Sequence, residues 1–361
     1  MAERPAPTPA PASTPPPAPV RPVRRRRRLL LIGLAVAVVA GLAVGGTAYF
    51  TTMNMVSHVH RIPDVFKAAD RGTRPTMPAA SKNSTTILVA GSDLRSPVPT
   101  TGHGHTEPAF EPGEQRSDVL MLVHIDAGGQ HASIVSIPRD SWVDVPGHGM
   151  MKINAAFSLG GPALMVETVE QLTHVRIDHY MVIDFRGFSA LVSALGGVSV
   201  DIRQQTTTGD VTFRQGVNHL NPTDALIYVR QRDGLPGGDL DRIQRQQNLI
   251  RAILIKTASS RVLFDPVTLY RLLHAFTSWV SVDSTFTNGK LLSLLLELRT
   301  LRGGNVSFLT APVSGFGQED GQDVVLLNRA SCGTLWTAIR NGTVAAWATA
   351  HPAQITPADP Y

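Results

Sequence analysis

Five short segments of this sequence set charged side chains directly at the ends of apolar runs. They are Gly91-Ser92-Asp93-Leu94-Arg95, Arg116-Ser117-Asp118, Ile137-Pro138-Arg139-Asp140, Tyr228-Val229-Arg230-Gln231-Arg232, and DLDRIQRQQ from Asp239 to Gln247. Any one of them alone reads as a solvated turn. Together they put several arginines and aspartates where apolar runs give way to loops, and ligands of α/β sheets commonly bind in the crevice at the carboxyl ends of strands. Arg242, Arg245 and Gln246 stand at i, i+3 and i+4, so on a helix Arg242 shares a stripe with both of the others. Arg230 and Arg232 point the same way only if their stretch is extended or distorted. Guanidinium groups brought to one place repel one another unless an anion lies between them. A phosphate or pyrophosphate suits, because each oxygen pair can be gripped bidentately at about 1.5–3 kcal/mol per charged hydrogen bond. Two aspartates beside such a cluster suit a hard divalent ion, magnesium above all, which takes one or two carboxylates together with phosphate oxygens. The competing reading is a network of Arg–Asp salt bridges internal to the fold, with Asp140 and Asp241 among its acids.

Alternating strands and helices carry these residues. TTILVA (85–90), DVLMLVHID (118–126) and ASIVSIP (132–138) are short apolar runs, the last two joined by Gly128-Gly129 as in a hairpin. GGPALMVETVEQLTHV follows, with Pro162 just inside a helix. HYMVIDF (179–185) is a strand, GFSALVSALGG (187–197) a helix closed by a glycine pair, and VSVDI (198–202) another strand. Residues 239–257, 288–302 and 329–340 read as helices, and VSFLT (306–310) and DVVLL (323–327) as late strands. The interleaving predicts an α/β (α+β) domain over 85–345, a central mixed sheet flanked by helices, with residues 346–361 as a C-terminal tail.

The chain has 361 residues, 43% hydrophobic and 17% charged, which excludes wholesale disorder and a coiled-coil rod. Its net charge of +5 suggests a nucleic-acid partner, but the charge is local. Residues 1–28 hold seven arginines against Glu3, a net +6, which leaves the rest of the chain at −1 and without a basic binding surface. The lone Cys332 forms no intrachain disulfide, and no Cys/His cluster has zinc spacing. Residues 1–28, with nine prolines, predict a disordered tail. From Leu29 to Phe50, 22 residues carry no charge, enough for about 33 Å of helix against a hydrocarbon layer of about 30 Å. A cleaved signal peptide is the alternative, but its apolar region usually runs about 7–15 residues, and GGTAYFTT offers no clear cleavage site. Five consecutive arginines, Arg24 to Arg28, should remain cytoplasmic. The expectation is a single-pass cell-membrane protein with a transmembrane helix at 29–50, a stalk at 51–84 and an extracytoplasmic domain beyond it.

The series AGSDLR, QRSDVLMLVHID, ASIVSIPRDSWVDVPG, KINAAFSLGGP, YMVIDFRGFSALVSALGGVSVDI and GVNHLNPTDALIYVRQRDGLPGGDLDRIQRQQ resembles the LytR-CpsA-Psr family, in order over about 85–260 and more weakly to about 340. The resemblance implies a membrane-anchored phosphotransferase that moves a glycopolymer from a polyprenyl-pyrophosphate carrier onto peptidoglycan. It makes a phosphodiester, with the muramic acid 6-hydroxyl as acceptor, and leaves polyprenyl phosphate. By that resemblance Asp93 and Asp118 hold magnesium on the pyrophosphate. Arg116, Arg139, Arg230, Arg232 and Arg242 clamp its oxygens and Gln246 hydrogen-bonds there. Asp93 is also a candidate base. No nucleophilic Ser or Cys is required, and there is no G-x-S-x-G.

The apolar faces of DALIYV, QNLIRAILI and LLSLLLELRTL are candidates for a lipid groove, against an ordinary role as helix core. The long segment between Asp93 and Arg116, with His103, His105 and Glu107, reads as a flexible loop. Two other functions fit the same residues: an envelope regulator that binds polyprenyl phosphates without transfer, and a polyprenyl-pyrophosphate hydrolase. The short Pro/Arg-rich tail holds no output domain for a regulator, and product analysis separates hydrolysis from transfer.

Overall fold

The computed structural model describes residues 50–67, 74–92, 101, 117–259, 262, 265–298 and 305–360. The chain divides into two units, residues 1–51 and 52–361, and the elements named here belong to the second. In chain order the strands are β1 (His60–Ile62), β2 (Thr85–Ser92), β3 (Ser117–Ile125), β4 (Ala132–Ser136), β5 (Trp142–Val145), β6 (Gly149–Lys152), β7 (His179–Asp184), β8 (Val198–Ile202), β9 (Thr206–Thr208), β10 (Val211–Phe213), β11 (Gly216–Leu220), β12 (Val280–Asp283), β13 (Val306–Thr310), β14 (Val313–Glu319) and β15 (Gln322–Leu327). The helices are α1 (Ile153–Thr173), α2 (Phe185–Ala194), α3 (Pro222–Arg230), α4 (Asp239–Thr257), α5 (Pro266–Trp279), α6 (Asn288–Leu298), α7 (Arg329–Arg340) and α8 (Val344–Ala350).

Seven strands form one mixed sheet in the order β1-β12-β7-β2-β3-β4-β13. β2 lies at its centre, parallel to β7 and antiparallel to β3, which explains why TTILVA is continuously apolar rather than alternating. β3 and β4 pair antiparallel across the Gly128-Gly129 turn, as the sequence predicts. β1 adds to one sheet edge from within the stretch read as stalk, parallel to β12. Side chains alternate between the faces with period two. Leu88, Ala90, Leu120, Leu122, Val135, Tyr180 and Val182 join α1, α7 and α8 in the largest core. Ile87 and Ile125 face the other way, into a core with Leu291 and Leu294 of α6. Met121, Ile134 and Phe308 meet Ile250 and Leu254 of α4 on that same side. The opposite flank of α4, with Leu249 and Ala252, packs into a satellite core of α2, α3, β8 and β11.

The helical starts follow local chemistry. In α1 the helix breaks at Gly160 and Gly161, where Gly161 adopts φ 63 and ψ −154, a region closed to side-chain-bearing residues, and Pro162 then reopens the helix as expected. α2 is capped by Asp184, which accepts from Gly187 N at 2.7 Å. α3 is capped by Asn221, followed by Pro222 at the first helical position. Among the described residues no helix is long and apolar enough to cross a membrane. The predicted span at 29–50 lies outside them except for Phe50, as does the predicted tail at 1–28.

Candidate active site

The charged segments come together at one edge of the sheet. β2, β4, β7 and β13 end there, and β3 and β12 begin there. Ser92 and Ser117 are direct partners across β2 and β3. β4 runs out at Pro138, which has no N–H to extend a ladder. Arg139 follows, its carbonyl accepting from Asn154 N of α1 at 3.1 Å. α4 approaches the same edge with its amino terminus. Gly238, at φ 57, opens the helix, and Asp239 and Asp241 fill its first turn, where negative charge is favoured. Asp241 accepts from Gly237 N at 2.6 Å, and a Cβ on Gly237 would lie 2.6 Å from an Asp241 oxygen. Gly238, at a positive φ that side-chain-bearing residues rarely adopt, is a condition for the turn that presents Arg242.

Arg139 donates from Nη1 to Asp118, and its Nε lies 3.4 Å from Asp140, which also faces Lys152 Nζ at 3.5 Å. Burial alone would lower the Arg139 pKa, but Asp118, Asp140 and Asp239 together outweigh it and raise the value. Arg242 is 3% exposed, with Nη2 2.6 Å from Asp239 Oδ1. Burial holds its pKa below the usual arginine range; Asp239 opposes that, and the neighbouring charges of Arg139 and Arg232 add to it. Even so, Arg139 Nε, Arg242 Nε and Nη2, and Asp239 Oδ2 are buried with no aligned hydrogen-bond partner among the described residues. Buried polar groups are normally satisfied, and a cluster of guanidinium donors that is not is suited to an incoming anion.

Of the residues expected to build the site, Asp118, Arg139 and Arg242 are thus brought together, and Arg232, exposed to solvent, lies near enough for its charge to act on Arg242. The chain leaves α3 at Gln231 in an extended conformation, φ −59 and ψ 132, which is the distortion that lets Arg230 and Arg232 face outward together while Gln231 turns inward. The Arg230 guanidinium lies 4.0 Å from the centroid of Phe185, at the end of β7. Gln246 is buried, one turn beyond Arg242. Asp93 and Arg116 lie outside the described residues, as does nearly all of the 96–115 segment.

Arg245, read as sharing a stripe with Arg242, turns away from it. It is fully buried in the satellite core, donating to Gln231 Oε1 at 2.6 Å and Thr206 Oγ1 at 2.7 Å. Asp140 is the salt-bridge acid that the sequence suggests. Asp239 was missed, although its i,i+3 spacing to Arg242 was a usable signal. The apolar residues considered for a lipid groove sit largely in cores: Ala225, Tyr228, Val229 and Leu249 in the satellite core, Leu291 and Leu294 beneath the sheet.

Among the described residues no group of three His, Cys, Asp or Glu side chains could hold a metal alone. A magnesium ion is commonly held by one or two carboxylates together with waters and substrate phosphate oxygens, a set that Asp118 as the described acid fits.

The LytR_cpsA_psr family model matches residues 49–341. The cell wall biosynthesis protein LcpA of Corynebacterium glutamicum is 33% identical over 285 residues, 69% of this chain and 54% of that protein. The polyisoprenyl-teichoic acid–peptidoglycan teichoic acid transferase TagV of Bacillus subtilis is 30% identical over 241 residues, 64% of this chain and 57% of that protein. The chain thus spans little more than half the length of these relatives. A solved structure of TagT bound to LIIa-WTA shares the fold, with a TM-score of 0.57 at 24% identity, over 75% of this chain and 96% of that one.

Proposed function

From the premise that this chain belongs to the LytR-CpsA-Psr family, we propose that it is a phosphotransferase that moves a glycopolymer from a polyprenyl-pyrophosphate carrier to peptidoglycan. The observation that carries this reading is the gathering of Arg139 and Arg242 with Asp118 and Asp239 at the sheet edge, where Arg139 Nε and Arg242 Nε are buried without an aligned hydrogen-bond partner among the described residues. Relatives named as teichoic acid transferases support the reaction class.

In this reading Arg139, Arg232 and Arg242, with Arg116 and Arg230, grip the pyrophosphate oxygens, and Gln246 hydrogen-bonds at the same site. An acceptor hydroxyl, the muramic acid 6-hydroxyl, attacks the sugar-side phosphorus. The phosphorus–oxygen bond to the carrier phosphate breaks, and polyprenyl phosphate leaves. Charge grows on the equatorial and leaving oxygens, and the guanidinium donors stabilise it. Asp118 and Asp93 would hold magnesium, which when bound supplies further positive charge at the phosphate oxygens. Asp93 is the base proposed to take the acceptor proton. The uncharged run 29–50 is the proposed anchor, with the site outside the cell membrane.

The test is to incubate the full-length protein with a synthetic polyprenyl-pyrophosphate oligosaccharide, a peptidoglycan oligomer and magnesium, and to follow products by mass spectrometry. A phosphodiester-joined product that disappears with EDTA supports transfer. Free glycan phosphate would replace the reading with hydrolysis. Donor bound but never consumed would leave a binding role.

A further inference from the structure

Five residues beyond Arg242 on α4, about 7.5 Å further along the axis, Gln247 makes a junction of four chain segments. Its Nε2 donates to Ser136 Oγ and to the Leu309 carbonyl, each at 2.6 Å. Its Oε1 accepts from Thr356 Oγ1. Gln247 and Leu309 are 0% exposed, Ser136 2% and Thr356 4%, so the junction is shut off from water. Both amide protons and the carbonyl are used, and a buried network of that kind admits one arrangement. Ser136 is the last residue of β4, three before Arg139.

The fourth segment is the stretch after α8. Ile355 bridges antiparallel to Leu309, and Thr356 N donates to the Phe308 carbonyl at 2.8 Å, so the segment lies along the outer side of β13. From α4, Arg251 donates to the carbonyls of Pro357 at 2.6 Å and Thr356 at 2.8 Å, with its guanidinium 4.6 Å from the Phe308 centroid. Arg203 N donates to the Pro360 carbonyl at 3.1 Å. These contacts fall beyond residue 341, where the family match ends.

We infer that residues 351–360 form a strap that fixes the separation of Arg139 and Arg242 through Gln247, which makes Gln247 and Thr356 positioning residues for the anion site. The physical need is plain. Arg139 and Arg242 carry like charge, met in the fold by Asp118 and Asp239, and gripping an anion between the two guanidiniums requires that α4 not slide away from β4. The junction joins those two elements just below the charges and resists that displacement.

The inference rests on the anion-clamp reading, and the experiment separates the two. In the full-length protein, Thr356→Val removes the hydroxyl at nearly constant volume and Thr356→Ser retains it. Affinity for inorganic pyrophosphate is measured by calorimetry, and hydrogen exchange is followed across residues 242–247. Thr356→Val should bind about tenfold more weakly, the scale of one buried hydrogen bond, and should lose protection over 242–247, while Thr356→Ser restores both. Arg251→Met, which frees the strap from the other side, should act in the same direction if the valine variant fails to fold. Wild-type affinity and protection in Thr356→Val, or no restoration in Thr356→Ser, would overturn the strap. Absence of pyrophosphate binding in the wild-type protein would overturn the clamp reading instead, and the exchange data alone would then decide the strap.

Discussion

Two arginines three residues apart on α4 face two regions of the molecule, and the regions treat them in opposite ways. In the satellite core Arg245 is fully buried, with Gln231 and Thr206 as acceptors and the Tyr228 ring centroid 4.6 Å from its guanidinium. At the sheet edge Arg242 is buried almost as deeply, yet Nε and Nη2 lack aligned acceptors, and Arg139 and Arg232 press on it with like charge. Burial is common to both. Satisfaction separates them: the core meets its guanidinium with two hydrogen-bond acceptors and an aromatic ring, while at the edge the Asp239 ion pair leaves Arg242 Nε without an aligned acceptor among the described residues.

The largest effect expected from this contrast is on activity at the edge. Arg139→Ala should reduce transfer by about 100- to 1,000-fold, as when a preorganised donor to a developing oxyanion is lost. Its melting temperature should move by only a few degrees, because little core volume goes with it. Full activity in this variant, in the mass-spectrometric transfer assay, would end the assignment of the edge as an anion clamp.

The mirror change belongs in the satellite core. Arg245→Ala should cost about 3 kcal/mol in urea unfolding, since it strands Gln231 and Thr206 and opens a cavity. Pyrophosphate affinity of the molecules that remain folded should change far less than in Arg139→Ala. If the two variants gave the same balance of lost stability and lost binding, the difference between the regions would have no functional content.

A third measurement sharpens the contrast by adding the ligand. Pyrophosphate with magnesium at 100 times its dissociation constant should stabilise the protein by about 2.7 kcal/mol, because it binds only the folded state. That gain, read from unfolding curves, should vanish in Arg139→Ala and persist in Thr206→Val, which removes one acceptor of Arg245 in the satellite core.

Much of this contrast was legible before any coordinates. The bounds 239–257 follow from acids at the amino end and an apolar period along the helix, and SIPRD and YVRQR mark the ends of β4 and α3, where Arg139, Arg230 and Arg232 stand. The different fates of Arg242 and Arg245 were not legible. Stripe geometry shows which residues neighbour each other along a helix, but here the satellite core, built by residues 192–229, captures Arg245 from the side. Gln247 was hidden for a related reason: its partners Ser136, Leu309 and Thr356 are distant in sequence and chemically ordinary. β1 and the Ile355 bridge belong to segments too short to show a strand period.

The smallest effect concerns an acid that, unlike Asp239, has both oxygens hydrogen-bonded. At the opposite edge of the sheet Asp283 is fully buried and accepts from Tyr180 N at 3.0 Å, Thr285 N at 2.8 Å, Thr285 Oγ1 at 2.5 Å and His179 Nδ1 at 3.1 Å. Burial would raise its pKa, but these partners prevail and hold it below the ordinary carboxylate range. A carboxylate whose pKa falls on folding adds stability above its unfolded value, about 3.9, and loses that contribution as pH drops through the lower folded value. Urea unfolding between pH 7 and pH 3 should therefore show a wild-type advantage over Asp283→Asn that is constant at neutral pH and shrinks below about pH 4. A gap between the two proteins that stays flat with pH would mean that the carboxylate is not ionised in the fold. Satisfaction of its partners would then not be what distinguishes the scaffold's charged groups from those of the site.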